Sequence, residues 1–257
     1  MDDHILLTTF RKLNVKLHDQ RNILYKYVNL KDAKLILGDQ TIFLQTAENF
    51  NDPFELHLGF IEPSGLEDFL ELLKKQHLYT PELEGELRAI GEETFKESNT
   101  KALLGCRSTY GIYCMSKIND STLMWSHYAD KHKGVCIGFK VPTMSGPTIT
   151  VEVKYEDEIT PLEHSFETSG TSVKWMCSKS KVWEYENEVR MIDISYNGIF
   201  PFHKSNLCEI YFGVATPSEE IEAIKALIKQ KGYPITKSGK LYIKKCDFKL
   251  AIEEFKL

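Results

Sequence analysis

Two glutamates one residue apart stand in the run Glu186-Asn187-Glu188-Val189-Arg190-Met191-Ile192-Asp193-Ile194. Side chains alternate with period two on an extended backbone. Glu186 and Glu188 would therefore share a face with Arg190 and Ile192, opposite Val189, Met191 and Asp193. Paired carboxylates at the mouth of a strand can polarise a hydroxyl or stabilise a developing cation. The alternative for the same residues is a solvated edge, with Glu188 and Arg190 in a cross-strand salt network.

A second constellation lies between Gly111 and Phe139. Tyr113 falls near the end of a short apolar strand and Ser116 just after it. Trp125 and Tyr128, three apart, share one face of the helix that follows. Such rings could hold a flat heterocycle while Ser116 supplies a hydrogen bond. Alternatively they are core aromatics with polar tips at the surface. A third group, Lys174, Lys179 and Lys181 with Trp175 and Trp183, makes a local basic and aromatic loop. It reads either as a solvated loop or as a contact for nucleic acid or an acidic substrate. Asn51-Asp52-Pro53 reads as an Asx-type turn.

Other chemistries lack their residues. His127 has no histidine partner three or four along and His132 is five away, so no metal site is expected. No Gly-x-Ser-x-Gly or Cys/His/Asn pattern supports covalent catalysis, and no P-loop or Gly-x-Gly-x-x-Gly supports a Rossmann-type site. Clustered acidic ligands for the magnesium of a nuclease are also missing.

The elements that must position these groups follow from periodicity and punctuation. Residues 1–22 read as a leading arm. A strand over Asn22–Val28 carries Tyr25, Lys26 and Tyr27, and Asn29 caps a helix over Leu30–Leu37 that Gly38 ends. Strands follow at Thr41–Gln45 and Leu56–Ile61. Residues 66–103 read as two helices inserted between strands, with Leu66, Phe69, Leu70 and Leu73 forming one stripe and Leu83, Leu87, Ile90 and Phe95 the other. Then come a strand over Gly111–Ser116, a helix begun at Asn119-Asp120-Ser121 and ended by Gly134, and a buried strand over Val135–Phe139. A strand over Thr148–Tyr155 precedes a loop-rich region. After Glu186–Ile194, Leu207–Phe212 reads as a strand and Ser218–Gln230 as a helix, with closing strands near Ile235 and over Leu241–Lys245. Short strands interleaved with helices predict one α+β domain over the 257 residues.

A net charge of −5 supplies no global field for nucleic acid. The six cysteines include no C-x-x-C pair, and their scatter fits reduced thiols in a cytosol. No signal-peptide core and no span of about 18 apolar residues is present, so the expectation is a cytoplasmic protein with no membrane partner.

Tyr25-Lys26-Tyr27, Phe50-Asn51-Asp52-Pro53-Phe54-Glu55, Met124-Trp125-Ser126-His127-Tyr128-Ala129, Gly134–Phe139 and Lys181–Arg190 together resemble a large bacterial family catalogued as domain of unknown function number 2971. That resemblance runs from about Leu24 through nearly the whole chain and implies no activity. The order of three motifs is also similar to the ADP-ribosyltransferase superfamily. That likeness implies a split mixed β-sheet with the helical insertion at 66–103, and NAD as co-substrate. By resemblance, the Leu24–Val28 strand would contact NAD through Lys26 or the flanking Tyr25 and Tyr27. Gly111-Ile112-Tyr113, Ser116 and Tyr128 would match the second motif, the tyrosines enclosing nicotinamide beside Trp125. Glu186-Asn187-Glu188 would match the third, Glu188 stabilising an oxocarbenium-like transition state and Glu186 orienting the acceptor. The loop within 165–183 would select the substrate. The departure is the first motif, which holds neither Arg nor His; Arg107 is a substitute. The resemblance implies ADP-ribose transfer to a protein or nucleic acid by a toxin or phage-defence effector, with a neutralising antitoxin as partner. NAD hydrolysis in the same site and a non-catalytic binding module are the rivals. The transfer reading requires Tyr113, Tyr128 and Glu188 to converge in one cleft.

Overall fold

A computed structural model describes residues 14–75, 77–159, 162–164 and 169–257. Residues 1–13 of the expected arm and 165–168 of the expected substrate loop lie outside the described residues. The described chain is a mixture of helices and β-sheet, as the α+β reading expects. It separates into two compact units.

The first unit combines Leu17–Gln45, Gly111–Val153 and Val182–Leu257. Its frame is a nine-stranded mixed sheet: β1 (Ile23–Val28), β2 (Gly111–Ser116), β3 (Val135–Lys140), β4 (Met144–Ser145), β5 (Thr148–Glu152), β6 (Glu188–Asp193), β7 (Leu207–Phe212), β8 (Lys237–Ile243) and β9 (Leu250–Glu254). The spatial order is β9-β8-β7-β3-β1-β2-β6-β5-β4. β1 pairs with β3 along its whole length, from Ile23–Lys140 to Val28–Val135. With β2 it registers only where Tyr25 faces Ser116.

Each sheet face has its own cover. On one, Leu24, Val28, Tyr113, Met115, Ile137, Phe139, Val189 and Met191 pack with Ala33 and Leu37 of α1 (Leu30–Asp39) and with Ile221, Ile224 and Ile228 of α3 (Ser218–Lys231). On the other, Tyr27, Cys136, Tyr211 and Leu241 pack with Met124, Trp125 and Ala129, from α2 (Thr122–Tyr128) and its C-cap. Burial on both faces explains why β3 reads as an unbroken apolar run. Ser121 caps α2 by accepting from the Met124 N–H. Asn29 caps α1 in the same way through the Asp32 N–H, 2.8 Å away. The end of α1 differs from expectation: Gly38 lies inside it, and Gln40 (φ 58°) takes the left-handed position that closes it. α2 stops at Tyr128 rather than at Gly134, because Asp130, Lys131 and His132 are all left-handed. Gly134 is needed for a close approach, since a Cβ there would lie 2.1 Å from the Val28 carbonyl oxygen.

The second unit is built mainly from Thr46–Tyr110 and Lys154–Lys181. The expected insertion at 66–103 is built from the helices Leu66–Lys75, Pro81–Ile90 and Glu92–Thr109, three rather than the two expected, because Gly91 (φ 84°) interrupts the later stripe; a further helix in this unit is Ser169–Met176. The expected strand Leu56–Ile61 is a 3-10 turn over Leu58–Phe60, with only Ile61–Pro63 extended. Leu56 is left-handed, and His57 Nδ1 accepts from the Gly59 N–H, so a side chain competes with a ladder. Asp52 Oδ1 accepts from the Phe54 N–H at 3.0 Å, the Asx geometry expected there. The expected strand Thr148–Tyr155 divides at Val153, whose N–H bonds Glu188, whereas the N–H of Lys154 bonds Cys177.

Candidate active site

The Glu186–Glu188 corner is not the continuous strand that alternation predicts. Lys181–Glu186 is a 3-10 helix, Asn187 is left-handed at φ 46°, and only from Glu188 does the chain become β6. The Asn187 N–H bonds the Glu184 carbonyl, and the Lys117 N–H bonds that of Asn187, so the corner is held from both sides. β6 then runs between β2 and β5, placing Glu188 opposite Ser116 and Val189 opposite Glu152. It is an interior strand, not a solvated edge.

Both carboxylates are buried and both are held. Glu186 Oε1 accepts from the Tyr128 hydroxyl at 2.5 Å. Arg190, 1% exposed, donates from Nε to Glu188 Oε1 at 2.8 Å and from Nη2 to Oε2 at 3.1 Å. The two residues expected to form a cross-strand network are thus an i,i+2 pair on one strand face. Desolvation in the sheet, then the Glu188 carboxylate, push the neighbouring Cys114 thiol well above its ordinary range. It is no thiolate nucleophile at neutral pH.

The other predicted residues divide between the two faces. Tyr25, Tyr27, Ser116, Trp125 and Tyr128 share the side that carries Glu186 and Glu188. Tyr113 and Lys26 do not. Tyr113 pairs with Met191 in the opposite cluster, and the Lys26 ammonium lies 4.6 Å from the Tyr113 ring centroid and donates to the Cys114 carbonyl. The required convergence of Tyr113, Tyr128 and Glu188 therefore fails at Tyr113, and the two-tyrosine enclosure expected around nicotinamide does not form. Arg107 belongs to the second unit.

On the glutamate side several residues are engaged by the fold itself. The Ser116 hydroxyl donates to the Glu186 carbonyl at 2.6 Å and accepts from the Ile118 N–H, so its one proton is committed to holding the corner. Trp125 is fully buried, donates to the Asn119 carbonyl and meets the Tyr27 ring edge-on. The Tyr27 hydroxyl donates to Ile118. These three support the site rather than line it.

Tyr25 and Tyr128 remain half-buried beside it. Tyr25 donates to Glu209 Oε2 at 2.8 Å, as Tyr211 does at 2.9 Å. Tyr25 crosses β3 at Gly138, where a Cβ would come within 2.7 Å of the Glu209 Cβ and 3.2 Å of the Tyr25 ring. Glu209, Tyr185 and His127 were not expected at the site. From Tyr128 the rings of His127, Tyr185 and Trp183 follow at 6.2, 6.2 and 6.1 Å between successive centroids. His127 is exposed and the other two are half-buried, so this aromatic run beside Glu186 is accessible. A signal for it existed in the Trp-x-Tyr-Glu spacing before the corner.

The basic loop resolves differently. Lys179 is buried in the second unit, its ammonium 3.0 Å from Glu55 Oε1, and Trp175 is buried with its indole N–H on the His57 carbonyl. Lys179 is thus not part of a solvated basic patch. Among the described residues, no group of three or more His, Cys, Asp or Glu could hold a metal ion, and no helix is long and apolar enough to cross a membrane.

A family model described as "Protein of unknown function (DUF2971)" matches residues 124–191. That segment supports the likeness to this family, and it contains Tyr128, Glu186, Glu188 and Arg190. No curated protein and no solved structure matches the chain.

Proposed function

We propose that, without the Tyr113 enclosure that the superfamily resemblance called for and that does not form, the Glu186–Glu188 corner still cleaves the nicotinamide–ribose bond of NAD and passes ADP-ribose to a macromolecular acceptor, a protein or a nucleic acid. The observation that carries this reading is the joint placement of both carboxylates and Tyr128 on one side of the sheet, where Ser116 of β2 faces Tyr25 of β1 and Glu188 of β6. The strands resembling the three motifs of the ADP-ribosyltransferase superfamily, β1, β2 and β6, are successive neighbours in that sheet.

In this reading the ribose binds against Glu188, whose carboxylate accepts its 2′-hydroxyl while Arg190 fixes the carboxylate. Nicotinamide leaves with the bonding electrons, and the ionised carboxylate favours the positive charge developing on the ribose. The acceptor nucleophile then attacks the anomeric carbon and loses its proton to Glu186, which Tyr128 orients. The flat rings of NAD stack on the His127–Tyr185–Trp183 run in place of the Tyr113 enclosure. A toxin or phage-defence effector with a neutralising partner is the setting that the superfamily resemblance suggests.

The test is nicotinamide release from NAD by the wild type, Glu188→Gln and Glu186→Gln, with and without cell lysate. The expected result is release by the wild type that falls at least ~100-fold in Glu188→Gln. Stimulation by lysate distinguishes transfer from hydrolysis, in which water is the acceptor. No release by folded wild type in any mixture overturns the proposal. One observation favours the non-catalytic module as a second reading: Tyr113, matched to the nicotinamide enclosure, instead lines a separate cavity on the far face of the sheet.

A further inference from the structure

The face of the sheet turned away from Glu188 encloses a pocket of about 430 Å³ within the first unit. That volume lies in the range of small-molecule sites, roughly 300–1,000 Å³. Tyr113, Met115, Phe139 and Met191 form its floor, all at most 6% exposed, so the pocket reaches into the core. Phe200 and Phe202 form a wall, with the Phe202 ring edge-on to Phe139 at 5.4 Å and Phe139 edge-on to Tyr113 at 6.4 Å. Perpendicular rings of this kind leave aromatic faces and edges for a further ring.

The polar groups are few and mostly donors. Tyr113 has a buried hydroxyl with no hydrogen-bond partner, whereas the hydroxyls of Tyr27, Tyr211 and Tyr233 all find acceptors. A buried hydroxyl in that state is uncommon and unfavourable. At the rim Lys140 is exposed. His203 uses Nδ1 to accept from the Ser205 N–H, which leaves the proton of a neutral ring on Nε2 as a donor. The acidic lining group, Asp193, is already satisfied by Ser195, Tyr196 and Thr148.

We infer that this pocket binds an aromatic small molecule with one anionic group, its rings on the Phe139–Phe202 wall and its charge toward Lys140 and His203. The site lies on the sheet face opposite the glutamate corner and does not depend on the reading of that corner.

The probe is 8-anilinonaphthalene-1-sulfonate, an aromatic monoanion, titrated by calorimetry against the full chain. The expected result is saturable one-to-one binding, retained in Glu188→Gln and blocked in Ser145→Trp and Met191→Trp, which fill the mouth and the floor. Lys140→Met weakens binding by about two- to fivefold, the effect of one exposed ion pair. The uncharged N-phenyl-1-naphthylamine binds more weakly than the sulfonate. Absence of saturable binding to folded protein, or binding that neither tryptophan variant reduces, overturns the site. Equal affinity for the uncharged amine overturns the anionic part of the inference. Ser145 is exposed, so that variant keeps the test valid if Met191→Trp does not fold.

Discussion

Arg190→Met leaves the Glu188 carboxylate in the interior of the sheet without its guanidinium. Arg190 is 1% exposed and Glu188 5%, and two hydrogen bonds of 2.8 and 3.1 Å join them, so solvent screens the pair little. Removing one partner of such a pair destabilises by about 3–5 kcal/mol, because the other charge stays desolvated. For a chain of this size each kcal/mol lowers the melting temperature by about 2–4 °C, giving a fall of about 6–20 °C. The double variant Glu188→Met/Arg190→Met removes both charges and fills similar volume, so it recovers most of that loss. Thermal melts and urea titrations of wild type, both single variants and the double variant complete the cycle. A double variant less stable than Arg190→Met would refute the argument, since it would mean the buried charge was never the source of the cost. The same protein isolates chemistry from folding: it is stable, lacks Glu188, and should release no nicotinamide.

Two further outcomes follow from the local geometry. Asn187 sits at φ 46°, so Asn187→Gly should leave the melting temperature close to wild type, while Asn187→Val should destabilise by about 1–2 kcal/mol. Equal melts for the two variants would show that the corner does not depend on that dihedral. Burial, aided for Tyr25 and Tyr211 by hydrogen bonding to Glu209, pushes the hydroxyls of Tyr25, Tyr27, Tyr113 and Tyr211 above their ordinary value of 10. A raised folded value means that the folded state holds these protons more tightly. The stabilisation is full below about pH 10 and is lost as pH rises beyond it. Ultraviolet titration should therefore show these tyrosines ionising only as the protein unfolds, and stepwise ionisation in a folded protein would contradict it.

Much of the frame was legible because it rests on short-range patterns. The run Val135–Phe139 marked a strand buried on both faces, Asn29 and Ser121 marked helix starts, and the Asx turn at Asp52 followed from its dipeptide. What escaped depended on distant partners or on single dihedrals. The 3-10 corner at Glu186 turns on one left-handed asparagine, a conformation that Asn permits but does not announce. Lys179 looked solvated until Glu55, far away in sequence, provided a buried partner. Glu209 could not be placed at the site without knowing that β7 lies beside β3 and brings it against Tyr25 across Gly138.

The division of the predicted site between two faces was within reach of the sequence. Tyr113 and Ser116 are three apart on one strand, an odd separation, so period two alone sends them to opposite sides. Lys26 is likewise separated from both Tyr25 and Tyr27. A motif match groups residues by their order along the chain, whereas a strand sorts them by parity, and only the second has a physical mechanism. Parity leaves Tyr25, Ser116 and Glu188 together and puts Lys26 with Tyr113, the arrangement found. It follows that the glutamate corner and the Tyr113 pocket sit on opposite sides of one sheet. Any influence of the pocket on the glutamate corner must then pass through β2 and β6, where Tyr113 faces Met191 three rungs along the same ladder from Ser116 and Glu188.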